Sequence, residues 1–565
     1  MNIKTIKETK KMTKYQSFAE IPEEIRRKLE PYVSNVGGRT FVIHGLPPEV
    51  TGGLLARYSR APTSLQTTLA NEFLDQEGDL VPEKGKGVLE RVLIGFGDDS
   101  VGELEGVHVG IEDISQLATK WFEDRRIGGS PIEQSTRYVR CDQKDAQGCW
   151  RYLRPEEIIR AGLGNKFEQV NDLAFSVYSE GIRRLSDHFR TILPEDQYKI
   201  EVVRKGRKLE VGRAELQGDE EEKKFRNAYA FAIRCAALDV GRCVLPTSTL
   251  TQLGIYGNGR FFSGVLSFMK SQGLAEAQER ANELEGELNK VIPTFIKRNK
   301  ANPSWQERDQ RMYTLAQELM QDLKPSADTV TLVMREDHLD EVVASMFFPY
   351  TNVSLQQILN QVRLIFPERK RELIEQYIGE RSSRRDRTGR ALEAGYPYTF
   401  DLVGGFAEYR DLERHRMLTQ QRQLITTELG FIMPPEMREI GLEKQVEEVV
   451  KQMEELNSAI RHAGLREAAQ YATLFNHRIR WMMGMNAREL QHLTELRTGP
   501  AGHFSYRAMA MEMARQALQR DPWLEKVLQF VDYSDKDNKI TRAKEQSRIA
   551  GKNLAKGIDD SSDLT

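Results

Sequence analysis

Arg414, His415 and Arg416 occupy consecutive positions in the stretch DLERHRMLTQQRQL, residues 411–424. Two fixed cations beside a ring that titrates near neutrality can hold an anion or a cofactor edge, or can form a solvated polar turn. Far upstream, Ser135-x-Arg137 follows a turn marked by Gly128, Gly129 and Pro131, and Arg242 stands further along. A hydroxyl and two guanidinium forks converging on one point suit a phosphate group. For each Arg the alternative is an ordinary surface ion pair, although the position of Arg137 in a loop after a turn favours function. Asn486-x-Arg488 and Asn258-x-Arg260 can contact a ligand or cap a helix. His492 and His503 invite a metal, but no carboxylate–His pattern at zinc spacing accompanies them, and Cys141 and Cys149 lack knuckle spacing. No metal is expected.

The elements that position these residues come in two copies. LLARYSRAPTSLQTTL (54–69) and VVASMFFPYTNVSLQQIL (342–359) share Ser-Leu-Gln, with Ser64 and Ser354 offset by 290. GVHVGIEDIS (106–115) and GYPYTFDLVG (395–404), offset by 289, each read as an alternating strand closed by an acidic residue. After the first strand, Ile114, Leu117, Ala118, Trp121 and Phe122 fall on one face of an expected amphipathic helix. The 289 offset lays Arg125 on Arg414, so the opening stretch is the second copy of RRIGGSPIEQSTRYV. CVLPTSTLTQLGIYGNGRFF (243–262) matches ATLFNHRIRWMMGMNAREL (472–490) at an offset of 228, which predicts an insertion of about sixty residues in the first copy, within about 141–230. EKQVEEVVKQMEELNSAIRHAGLREAAQYATL (443–474) carries helical apolar spacing suited to packing. The junction between copies is placed in the polar stretch 296–310.

Length and charge set the remaining bounds. At 565 residues the chain exceeds a single core, and 82 basic against 84 acidic residues leave a formal charge of −2. No global field draws it to nucleic acid or to an anionic membrane. Four cysteines fit a reducing compartment, no apolar run reaches membrane-helix length, and the basic N-terminus lacks an apolar signal core. The expected location is the cytoplasm.

Taken together, the two copies resemble the flavin-dependent thymidylate synthase (ThyX) family. Its signature runs Arg-His-Arg-x-x-Ser-x-Asn-x-x-Ser-x-Arg. The second copy keeps Arg414-His415-Arg416, then departs at Thr419, Gln421, Leu424 and Thr426. The first copy has Arg125-Arg126-Ile127 in place of the triplet, then resumes with Ser130, Glu133, Ser135, Arg137 and Tyr138, with Ile132 in place of the Asn. The family's Arg-x-x-Leu-Pro appears as Arg242 to Pro246, whereas Gln470 takes the Arg position in the second copy. The family's nucleotide-binding Arg is Arg497 in the second copy and Met269 in the first. SVGEL (100–104) resembles Ser-x-x-Glu-His with Leu104 in place of the His, and Asp411 stands where the family usually has Gln.

The resemblance implies an α+β fold of two fused repeats, each a small antiparallel sheet with long packed helices. The expected layout is a tail over 1–40, a first repeat over 41–300, a second over 301–533 and a polar tail over 534–565. It implies FAD as cofactor, with NADPH and methylenetetrahydrofolate as co-substrates for methylation of dUMP, and a homo-oligomer in which a dimer is equivalent to the family's tetramer. Arg414 and Arg497 would be catalytic. Arg414, His415, Arg416, Asn486, Arg488 and His492 would face the flavin, whose reduction puts negative charge on a ring edge that fixed cations stabilise. Ser130, Glu133, Ser135, Arg137, Arg242 and Arg497 would hold dUMP. Because the losses in the two copies are complementary, one composite site between the repeats is expected. The alternatives are a nucleotide- or flavin-binding protein without catalysis, and a helical scaffold.

Overall fold

Along Leu250–Asn258, Thr251, Leu253, Ile255 and Gly257 are buried while Gln252 and Tyr256 face out, the period of two that makes a strand with one covered face. A computed structural model describes residues 15–96, 99–205, 207–333, 338–379, 390–394, 398–526 and 528–534. Its strands are β1 (Gly106–Ser115), β2 (Gly129–Glu133), β3 (Lys199–Arg204), β4 (Arg207–Gly212), β5 (Leu250–Asn258), β6 (Val330–Leu332), β7 (Tyr398–Gly405), β8 (Thr419–Arg422) and β9 (Arg478–Met485). They form an antiparallel sheet β1-β5-β2, a hairpin β3-β4 and an antiparallel sheet β6-β7-β9-β8. With helices packed between and around them, this is the expected α+β architecture of two repeats.

The repeat is visible in the register. Ser130 pairs with Tyr256 and Thr419 pairs with Gly484, so the offsets of 289 and 228 hold on the two sides of one strand pair. The halves meet about a pseudo-two-fold axis. Pro246 bridges to Leu474, its own equivalent at an offset of 228. The Thr247 amide donates to the Thr473 carbonyl at 2.9 Å, and the Phe475 amide to the Leu245 carbonyl at 2.9 Å, each bond being the image of the other. A single apolar core crosses this axis, running from Phe122, Tyr178, Leu245 and Phe262 to Phe406, Tyr409, Leu474 and Trp481. Each such side chain contributes about 1.5–3 kcal/mol by leaving water, so neither repeat can shed the other cheaply.

Both halves of the insertion are visible. Pro155 and Pro434 cap equivalent short helices, and Gly162 and Gly441 follow them with φ of 76° and 71°, an offset of 279. The drop from 289 to 279 lies in the loop bearing the Lys144–Trp150 bridge. The further drop to 228 is the extension of helix Gly164–Ile192, the β3-β4 hairpin and the helix Gly218–Gly241.

Three expectations change. The face Ile114 to Phe122 is not one helix. Ile114 and Ser115 finish β1, the Gln116 and Leu117 amides still donate to the Thr249 and Thr247 carbonyls, and the helix is only Thr119–Glu123. A strand end followed by a tight turn buries the same residues that a helix face would. The long segment 443–474 is helical over Glu443–His462 and turns again at Ala468–Tyr471. Residues 15–40, read as tail, pack Ile21, Leu29 and Val33 against Leu54, Leu65, Leu69 and Phe73, with the Tyr15 amide donating to Asn71. Residues 1–14 and 535–565 of the two expected tails, and 395–397 of the expected strand, lie outside the described residues. Among the described residues, no helix is long and apolar enough to cross a membrane.

Candidate functional site

Helix Phe406–Leu412 follows β7, and the turn after it carries the cationic triplet across to the first repeat. Leu412 and Leu418, both fully buried, pin the two ends of that turn. Arg416 Nη1 donates to the Gly129 carbonyl at 2.8 Å and to Ser130 Oγ at 2.9 Å, on β2. The second copy's intact half-signature therefore lies against the first copy's intact half. Arg414 and Arg416 are exposed, while His415 between them is buried.

His415 is held from both sides. Its Nδ1 lies 2.8 Å from Glu489 Oε1, and Arg497 Nε donates to its Nε2 at 2.9 Å. Arginine has no acceptor, so Nε2 must carry the lone pair and Nδ1 the proton shared with Glu489. Burial lowers the His415 pKa; the hydrogen bond to Glu489 opposes this and the Arg497 charge reinforces it. Glu489 and Arg497 lie two turns apart on helix Ala487–Arg497, which brings both to one face. The direct ligand contact expected of His415 is not open to either ring nitrogen; the ring orients Arg497 instead. His492, exposed, stands with its ring centroid 5.3 Å from that of His415.

Arg497 and Arg137, one from each repeat, flank the same ring: their guanidinium carbons lie 5.8 and 5.9 Å from the Tyr506 centroid. Arg137 is buried and forked onto Asp239 through Nε at 2.7 Å and Nη2 at 2.8 Å. Ser135 Oγ accepts from the Arg137 amide at 3.3 Å. Arg242, also buried, keeps Nε and Nη2 without a hydrogen-bond partner, and its Nη2 lies 3.7 Å from Asp411 Oδ2, which has none either. Burial would raise the Asp411 pKa, but Arg137, Arg242, Arg414 and Arg497 together hold it at about 2.

Glu133 has a different place from the one expected. Its Oε1 pairs with Arg410 at 2.8 Å and its Oε2 faces Lys120 at 3.5 Å, with no side-chain exposure. It belongs to a buried charge cluster that locks the repeats together, in which Lys120 also pairs with Glu123 and Glu413. Lys120, Arg410, Asp239, Glu489 and Tyr506 were not singled out from sequence. Only Glu489, three residues from Asn486 at a helix start, left a local signal. Asn486 and Asn258 both act as N-caps, accepting from Glu489 N at 3.0 Å and Phe261 N at 2.8 Å. Arg488 is exposed, and Arg260 pairs with Glu103. His503 caps the next helix, with Nδ1 on Ser505 Oγ at 2.6 Å and Nε2 against the Asp239 carbonyl at 3.2 Å.

The pseudo-symmetric counterpart is differently furnished. Thr426, Gln470 and Met269 replace Arg137, Arg242 and Arg497, and Arg422 stands in the place of Glu133. Arg422 Nη1 donates to Gln470 Oε1 at 3.2 Å. Arg390 Nη1 donates to the Gln420 carbonyl at 3.2 Å, and its Nη2 donates to the Asp124 carbonyl.

These features define a class: a duplicated α+β protein in which arginines of both repeats gather around Tyr506 and Asp411. The chain belongs to the thymidylate synthase complementing protein family, which it matches over residues 54–294 and 340–523, one segment in each repeat. It is 35% identical over 549 residues to a UPF0159 protein of Chlamydia muridarum, covering 93% of this chain and 98% of that protein. It is 28% identical over 496 residues to the UPF0159 protein Ta1429 of Thermoplasma acidophilum, covering 86% and 95% respectively.

Proposed function

We propose that the protein carries out reductive methylation of dUMP to dTMP with methylenetetrahydrofolate and NADPH, using FAD, at the single composite site between its repeats. The observation that carries this reading is Arg416 on Ser130, which joins the two half-signatures. Arg242, with unspent buried donors, and Arg137 suit the phosphate end. Arg497, fixed at Nε by His415, is suited to polarise the pyrimidine through its remaining nitrogens. The exposed cations Arg414 and Arg488, and His492 against the His415 ring, fit the anionic edge of a reduced flavin, which when bound would supply the reducing equivalents.

The outer face of the first sheet supports a homo-oligomer. Ser130 and Ile132 on β2 and Tyr256 on β5 share that face, with Ile132 76% exposed. A second copy covering it would bury this apolar surface and shelter the site. A second reading, a nucleotide- or flavin-binding protein without turnover, is favoured by Leu104 and Asp411, where the family carries other residues.

The test is tritium release from dUMP labelled at the alkylated pyrimidine carbon, with FAD, NADPH and methylenetetrahydrofolate present. Arg414→Ala and Arg137→Ala should each abolish it. Full activity in either variant refutes the composite site, and no release from the wild type with bound dUMP favours the second reading.

A further inference from the structure

Asp411 is the anomaly of the arginine group. It lies in the last turn of helix Phe406–Leu412 of the second repeat, with its carboxylate 3.7 Å from Arg242 and under the charges of Arg137 of the first repeat and of Arg414 and Arg497 of the second. A purely accepting ligand such as a phosphate dianion meets there an ionised carboxylate as well as the guanidinium groups, and like charges at close range disfavour each other. Yet Asp411 does not close on Arg242. Their nearest atoms stand 3.7 Å apart, both buried and both without a hydrogen-bond partner. An orphan donor facing an orphan acceptor across such a gap suits a bridging group that accepts from one and donates to the other. One hydroxyl oxygen at about 2.7–2.9 Å from each atom spans it.

We propose that Asp411 selects the protonation state of the ligand: a phosphate monoester is bound as its monoanion, the P–OH donating to Asp411 Oδ2 and accepting from Arg242, and the dianion is disfavoured. This rests on the reading of Arg137 and Arg242 as the phosphate end of the site. The proton belongs to the ligand, whose second ionisation falls near pH 6. Asp411 itself stays ionised throughout that range, because its pKa is held at about 2. The other groups around it do not titrate there in a way that mimics the effect. The arginines remain charged, Asp239 is forked onto Arg137, and His503 is held neutral by burial with its pKa at about 3. His415 has its pKa lowered by burial and spends both ring nitrogens, Nδ1 on Glu489 and Nε2 on Arg497.

The experiment is calorimetric titration of the full chain with inorganic phosphate and, separately, with dUMP, at about pH 5.5 and about pH 8, on either side of the phosphate ionisation. Wild type should bind dUMP at least tenfold more tightly, and inorganic phosphate, which ionises about one pH unit higher, about fivefold more tightly, at the lower pH. Asp411→Asn and Asp411→Gln should abolish that preference and bind at least tenfold more tightly than wild type at the higher pH. Using both amides guards against one failing to fold, and Arg242→Met should remove the signal, which assigns it to this pocket. An unchanged affinity in the folded amide variants at the higher pH, tighter wild-type binding of the dianion, or no phosphate binding in any protein overturns the proposal. Inorganic phosphate carries no pyrimidine. If it behaves as expected while dUMP gains nothing over it, Asp411 keeps its role and the dUMP reading falls.

Discussion

Arg416 of the second repeat donates to Ser130 Oγ of the first at 2.9 Å, and this bond ties together two half-signatures 286 residues apart. Both side chains are exposed, so the bond adds little to global stability. Arg416→Ala should change the unfolding free energy by no more than about 1 kcal/mol in urea denaturation. The same variant should lower tritium release from dUMP by at least tenfold. A large stability loss would show instead that the residue is structural.

Glu489 acts on Arg497 through the His415 ring. Glu489→Gln replaces the charged acceptor at Nδ1 with a neutral amide, so the ring is held less firmly and Arg497 loses a fixed acceptor. The expected result is a fall in kcat larger than any rise in KM for dUMP, with an altered nitrogen spectrum for His415 in NMR. An unchanged His415 spectrum would remove Glu489 from this role.

Lys120 is fully buried and pairs with Glu123 and Glu133 of its own repeat and with Glu413 across the repeat interface. Lys120→Met leaves Arg410 to compensate three carboxylates, and should cost about 3–5 kcal/mol, the usual result of removing one partner from a buried ionic group. Adding Glu413→Gln removes a charge stranded by the first change, so the double variant should be more stable than Lys120→Met alone. Additive losses in chemical denaturation would argue against a shared network.

How much of this was legible in the sequence depended on distance along the chain. The fold and the repeat were readable because the offsets of 289 and 228 hold where β2 and β8 pair with β5 and β9, as at Ser130–Tyr256 and Thr419–Gly484. Arg414, Arg416, Arg137 and Arg242 could be chosen because each sits in a local pattern. Asp239 on Arg137, Glu489 on His415 and Arg410 on Glu133 could not, since each partnership spans 74 residues or more, and the last exists only once the repeats dock. Glu133 shows the cost: its signature position suggested a ligand, whereas docking encloses it between two cations. The misread helix after β1 has a nearer cause. Apolar spacing at 114–122 records which side chains are buried, and a strand end with a tight turn satisfies it as well as a helix does.

Buried histidines set the acid limit of the fold. His477 is fully buried, and its Nδ1 accepts from the Leu474 amide at 2.8 Å, so protonation there breaks a bond at the repeat axis. Burial lowers its pKa to about 3, well below the ordinary value of 6.5. A basic group depressed in this way favours folding above 6.5, and that advantage is lost progressively as pH falls toward about 3. Stability should therefore decline below pH 6.5 by up to about 1.4 kcal/mol per pH unit for this group, with His503 adding to it. His477→Asn keeps an acceptor without the ring charge, and its unfolding midpoint should fall less steeply between pH 6.5 and 4.5 than that of wild type. Parallel slopes would mean that other groups govern acid unfolding.

The chain should bind one dUMP, not two. At the composite site Arg137, Arg242 and Arg497 converge on the surroundings of Tyr506 and Asp411. At the pseudo-symmetric place the equivalents are Thr426, Gln470 and Met269, the last fully buried in the core, so three guanidinium groups are replaced by two neutral polar side chains and an apolar one. Arg422 does not restore them, because it takes the position of Glu133 and donates to Gln470. A phosphate at that place would lack the forked, charge-assisted donors that make such binding strong. Calorimetric titration should give a stoichiometry near one per chain, and Arg242→Met should abolish it entirely. Half the binding surviving in that variant, or two equivalent sites in the wild type, would mean that the second place still functions and that the duplication has not divided the labour between its halves.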